Sequence, residues 1–153
     1  MKLTVAHGWS PASRAGCARL TPFLRRLVER VPPRGGPIAL NWVSDASMRR
    51  LNRAYKKRSG VPEILTFPCG GGPDPATELP VGEIYLSLAG VSRGARRRGV
   101  AKRSYAARLL VHGVFHLRGH RHDDGPGWAR MERAEERFLR GFLPERDVER
   151  LFA

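Results

Sequence analysis

A run of apolar residues from about Ser104 to Arg118, stopped by Gly119, constrains this chain more than any other segment. It predicts a buried helix, and two histidines interrupt it. His112 and His116 stand four residues apart, a spacing that puts both imidazoles on one helical face with Cβ atoms about 5–6 Å apart. At that separation they can share one ion at nitrogen–metal distances of about 2.0–2.1 Å. Gly119 follows shortly after and can take the left-handed conformation that ends a helix. The chain can then turn and bring His122 back to the same ion.

The resulting spacing, H-x3-H-x5-H with glycine at the eighth position, is also that of the metzincin zinc proteases. Those enzymes carry their general-base glutamate directly after the first histidine. Here that position is Gly113, which has no side chain. The ligand geometry is kept and the proteolytic base is missing, although Glu63 or Glu83 could supply one. Three neutral imidazoles leave an ion its full charge and an open position, as in catalytic rather than structural sites. Such an ion brings the pKa of a bound water towards ~7. Zinc is the first choice, one ion per chain, and nickel, copper or another divalent transition metal would accept the same ligands. His120, between the ligands, is read as a surface residue or a hydrogen-bonding neighbour of the site.

The rest of the chain supplies a frame for that helix. Leu3–His7, Ile38–Val43, Ile64–Phe67 and Val81–Ser87 read as strands. Thr21-Pro22 reads as a helix start, with Thr capping and Pro at the first helical position. Asp45 can cap a helix from Ala46 to about Lys57, and a last helix spans roughly Trp128 to Phe142. Residues 32–36 form a turn, and the Gly- and Pro-rich residues 70–80 an irregular loop. The order β-α-β-α-β-β-α-α predicts an α+β fold: one domain over residues 1–153, with a mixed sheet packed against helices.

In the last helix, Trp128, Met131, Glu135, Phe138 and Phe142 follow helical spacing and should face the core. A buried Glu135 needs a partner. Two remain open: the N–H of a metal-binding histidine, or an arginine at the rim.

Charge narrows the partners. Lys plus Arg total 28 against 14 Asp plus Glu, for a net charge of +14. A surface this basic attracts polyanions, nucleic acid first. Arg93, Arg96, Arg97, Arg98, Lys102 and Arg103 crowd the approach to the histidine helix. Cys17 and Cys69 fit no CxxC pattern and read as free thiols in a reducing compartment. No stretch approaches the roughly 18 apolar residues of a membrane span, so a soluble, cytoplasmic protein without membrane contact is expected.

Residues 112–122, H-G-V-F-H-L-R-G-H-R-H, resemble the hallmark H-G-x-L-H-L-x-G-Y-D-H of the YbeY family of bacterial metal-dependent endoribonucleases. Further segments agree. Residues 51–56, L-N-R-A-Y-K, are similar to the family's L-N-x-x-Y-R. Residues 63–68, E-I-L-T-F-P, are similar to [DN]-V-L-S-F-P, and residues 82–87, G-E-I-Y-L-S, to G-D-I-x-I-S. Met131 and Glu135 stand where the family often has the same residues. The likeness covers about residues 40 to 140. Three positions depart from it. Lys56 replaces an arginine thought important for activity, His120-Arg121 replace Tyr-Asp, and Pro62 replaces a threonine.

The resemblance implies an α+β domain with a zinc-type site in a cleft. It further implies single-strand-specific RNA cleavage, maturation of the 3′ end of small-subunit rRNA, and ribosome quality control. Its metal ligands would be His112, His116 and His122. The catalytic residues would be His112 and Lys56, with Lys56 neutralising phosphate. Partners would be single-stranded rRNA regions and the ribosome or small-subunit assembly proteins. The alternatives are a zinc metalloprotease-like hydrolase and a non-catalytic ribosome assembly factor with a structural metal.

Overall fold

The structure, a computed structural model, describes residues 2–6, 11–31, 37–69, 82–119 and 124–153. Its sheet has four strands. β1 (Leu3–Ala6) pairs in parallel with β2 (Ile38–Trp42), and β2 pairs in parallel with β4 (Gly82–Leu86). β3 (Leu65–Pro68) closes the far edge, antiparallel to β4. The expected mixed sheet is therefore present, each strand within one residue of its expected bounds. Ile38, Leu40 and Trp42 share a face with Ile84 and Leu86, and all five are buried. The predicted turn over residues 32–36 and loop over 70–80 lie outside the described residues.

Helix α4 (Lys102–Leu117) lies against that face and is the centre of the molecule. Tyr105, Ala106, Ala107, Leu110, Val111 and Val114 are almost wholly buried. A helix apolar nearly all round is stable only when other elements enclose it. Here α1 (Pro11–Glu29), α3 (Leu88–Arg98), α5 (Gly125–Arg140) and α6 (Glu145–Leu151) all pack on it. Gly119 has φ +91°, and its N–H bonds to the His116 carbonyl. The helix thus stops at the glycine the sequence marked.

Three sequence expectations change. Pro22 does not start a helix; it sits inside α1, and the Thr21 hydroxyl donates to the Cys17 carbonyl 2.9 Å away instead of capping. The helix begins eleven residues earlier than the proline signal suggests, in a segment whose Ala, Gly, Ser and Arg residues give little apolar periodicity. Asp45 is the first residue of α2 (Asp45–Leu51), and Ser44 is the cap, accepting from the Ser47 N–H. Asp45 instead accepts from Ser87 and Arg93, and the Arg93 bond is the main cause holding its carboxyl below the ordinary range. Helices α3 and α6 have no counterpart in the sequence reading.

α6 has a definite task. Its Asp147 is buried and accepts from the Ser104 hydroxyl at 2.5 Å and from the Ala101 N–H at 3.4 Å, at the start of α4. A carboxylate there satisfies orphan donors and complements the helix dipole. Asp147→Ala leaves a fully buried Ser104 hydroxyl without its acceptor, so it should cost about 2–3 kcal/mol of stability. Urea unfolding measures this, and a loss under about 0.5 kcal/mol would show the cap to be dispensable.

Candidate active site

Between Ser104 and His116 every residue of α4 is buried except Arg108, His112 and His116. That spacing of four is one helical stripe, so the buried helix reaches the surface along a single polar line. Helix α5 flanks it. Glu132 meets Arg108, with Nη2 3.4 Å from Oε1, and Trp128, Met131 and Glu135 line a small pocket with His112.

Glu135 resolves the choice left open by the sequence. It is 1% exposed, and its Oε1 lies 2.6 Å from His112 Nδ1. The imidazole donates from Nδ1 and the carboxylate accepts, which leaves Nε2 of His112 with its lone pair. This tautomer is assigned from the hydrogen bond, as ring protons must be. That Nε2 lies 3.1 Å from Nε2 of His116, with the two rings 78° apart. Two nitrogens bound to one tetrahedral ion at 2.0–2.1 Å stand about 3.3–3.4 Å apart. The pair is therefore within a few tenths of an ångström of chelating distance, and its donor set suits zinc or a similar transition metal. Among the described residues no third His, Cys, Asp or Glu completes a cluster. His120 and His122 lie outside the described residues.

Gly113 explains why the protease-like spacing lacks its base. A Cβ there would stand 2.9 Å from Ile84 Cδ1, 3.0 Å from Ile64 Cδ1 and 3.1 Å from Thr66 Cγ2. The position faces the sheet, where a glutamate has no room. The two other carboxylates considered are already engaged. Glu63 pairs with Arg97 at 2.9 Å and Arg98 at 3.7 Å, and Glu83 accepts from the Tyr85 hydroxyl.

Lys56 ends a π-helical turn, Asn52–Lys56, that continues α2. Asn52 is buried, and its side-chain amide donates to the carbonyls of Ser59 and Gly60, tying down the loop that follows. Lys57 takes φ 55°, which stops the helix. Lys56 Nζ donates to the Thr66 carbonyl at 3.3 Å and lies 5.0 Å from the Phe67 ring centre, on edge strand β3. The Thr66 side chain faces α4 beside Gly113. Lys56 is thus one strand away from the residue next to His112, rather than among the imidazoles.

Two features were not foreseen. Trp128 does not face the core with the rest of its stripe: it is 47% exposed, its ring centre 6.3 Å from that of His112. The basic cluster is partly neutralised within the fold, Arg93 by Asp45 and Arg97 and Arg98 by Glu63. Both cysteines are free, and burial pushes the Cys17 thiol up to about 11. Among the described residues no helix is long and apolar enough to cross a membrane.

Two imidazoles on one stripe of the central helix, one of them oriented by a buried carboxylate, define an α+β domain with a helix-borne imidazole site. A profile of the family described as Endoribonuclease YbeY matches residues 24–142, and the chain belongs to that family. A Myxococcus xanthus protein of that name is 34% identical over 141 residues, 90% of this chain and 46% of the relative. The chain spans about half the length of that relative. An Alkalilimnicola ehrlichii protein of the same name is 35% identical, covering 85% of this chain and 81% of the relative. The solution structure of a Thermotoga maritima protein is similar in fold, with a TM-score of 0.53 at 17% identity, covering 91% of this chain and 90% of that one.

Proposed function

We propose that this protein is a metal-dependent endoribonuclease that hydrolyses phosphodiester bonds in single-stranded RNA. Its role would be in maturing the 3′ end of small-subunit rRNA and in ribosome quality control, in the cytoplasm. The observation that carries the chemistry is the His112–His116 pair, Nε2 atoms 3.1 Å apart, with Glu135 on the far side of the first ring. His122 is the third ligand, and zinc the first choice of ion, with nickel or another divalent metal able to replace it. A divalent ion held there supplies Lewis-acid charge and an activated water.

The protein's own residues do the rest. Glu135 holds the proton on His112 Nδ1, so that the opposite nitrogen always faces the site. Lys56, at the edge of β3, swings from the Thr66 carbonyl to a phosphate oxygen and neutralises charge as the phosphorus is attacked. Tyr55, 68% exposed and edge-on to Phe67, and Trp128 beside His112 are the exposed large apolar side chains among the described residues. Unpaired bases can stack on such rings, whereas bases inside a duplex cannot, which accounts for a single-strand preference. Ribosomal or assembly-protein partners follow from the same family reading.

Cleavage of a labelled RNA, single-stranded or annealed to its complement, tests this directly. The single strand should be cut, chelator should stop cutting, and added zinc should restore it. Cutting that persists in chelator, or that is equal on the duplex, would contradict the proposal. Lys56 has its own test in single-turnover rates. Lys56→Ala should slow cleavage at least tenfold, if the contact is worth ~1.4 kcal/mol in the transition state. Lys56→Arg should preserve or raise the rate, because guanidinium grips two oxygens. Equal rates for wild type and Lys56→Ala would remove Lys56 from the reaction.

A further inference from the structure

A surface pocket of about 520 Å³ lies away from the histidines, between the C-terminal end of α1, the start of α4 and the residues joining α5 to α6. Arg26, Arg30, Arg103 and Arg140 line it, with Phe23 and Phe142 between them. The two rings pack at 5.0 Å between centres. Arg30 lies 4.9 Å from the Phe142 ring and Arg103 5.7 Å from the Phe23 ring. Arg140 is held by Glu136 and Glu145. Among the described residues no carboxylate pairs with Arg26, Arg30 or Arg103, in contrast to Arg93, Arg97 and Arg98. Arg30 Nη1 donates to the Gly141 carbonyl at 3.4 Å, and three exposed guanidiniums that share one pocket without a carboxylate partner raise the local positive potential and attract an anion. A guanidinium presents a planar fork of N–H donors suited to bidentate contact with phosphate.

Its position sets what it can reach. Arg103 and His112 are nine residues apart on α4, about 13 Å along the axis and half a turn out of phase. The pocket therefore opens on the opposite flank of the helix from the imidazoles, a further helix diameter of about 10 Å away. A short strand lying over the histidines does not extend to it. A longer RNA does, since its phosphodiester backbone can follow the surface around the helix and carries a negative charge at every nucleotide.

We propose that this arginine pocket is a second RNA-binding site, an exosite that grips the phosphodiester backbone of the RNA flanking the segment to be cut. The proposal rests on the RNA-cleavage reading above and adds a distinct place of contact. Glutamine at Arg26, Arg30 and Arg103 together tests it, since glutamine keeps much of the side chain over the rings. Affinity for a long labelled RNA and for a hexanucleotide is measured in chelator across a range of salt. A control variant carries glutamine at the exposed Arg14, Arg19 and Arg133, and thermal melts confirm that both variants fold.

The pocket variant should bind long RNA about tenfold more weakly. Its slope of log affinity against log salt should fall by about 0.7 for each phosphate that the pocket no longer neutralises, so by up to about 2. Its binding and metal-restored cleavage of the hexanucleotide should match wild type. An unchanged slope for long RNA, an equal weakening on the hexanucleotide, or an equal weakening in the control variant would each overturn the exosite. Failure of the RNA-cleavage reading looks different: wild type itself would cut neither RNA.

Discussion

His116→Ala should lower single-turnover RNA cleavage by about a thousandfold while leaving the fold intact. Lewis-acid stabilisation of a transition state is worth several kcal/mol, and each 1.36 kcal/mol is a factor of ten in rate. Losing one of three ligands opens the site to loss of the ion altogether. His116 is only half-buried near the last turn of α4, so alanine leaves the core around Leu110 and Val114 untouched and suits a helix. The check is the rate together with a thermal melt. A variant that melts like wild type and cuts like wild type would separate His116 from the chemistry.

Glu135→Gln should weaken metal affinity 10–100-fold, with cleavage recovered at saturating metal. Removing such an outer partner of a ligating histidine typically has that effect. Glutamine keeps an acceptor oxygen near His112 Nδ1 but removes the negative charge that raises the basicity of the ring. A competitive zinc titration against a fluorescent chelator reads this out. A purely structural role would shift unfolding and leave metal affinity alone. Unchanged affinity would therefore assign Glu135 to packing.

The features legible in the sequence were those with strong local signals. Short apolar runs bounded by turn residues marked all four strands, and the i, i+4 histidines with Gly119 marked α4 and its end. Helix α3 stayed hidden because its buried residues are Val91, Gly94 and Ala95, too small to stand out among arginines. Helix α6 is seven residues long, shorter than the window in which periodicity speaks. Pro22 misled because its usual place is the first turn, yet tertiary packing of Leu24, Leu27 and Val28 carries the helix through it. At the site, Glu135 was visible as a polar residue in an apolar stripe. Its choice of His112 over an arginine depends on how α5 lies on α4, which spacing does not encode. The pairing of Arg97 and Arg98 with Glu63, more than thirty residues away, is likewise a product of the fold. So is the gathering of Arg26, Arg30 and Arg103 into one pocket.

The central claim is that His112, His116 and His122 hold one ion. Elemental analysis of protein purified with zinc present, then dialysed, tests it most directly, using wild type, His122→Ala and His120→Ala. One zinc per chain is expected in wild type and in His120→Ala, and far less than one in His122→Ala. A full complement of zinc in His122→Ala, or none in wild type, would contradict the three-histidine site.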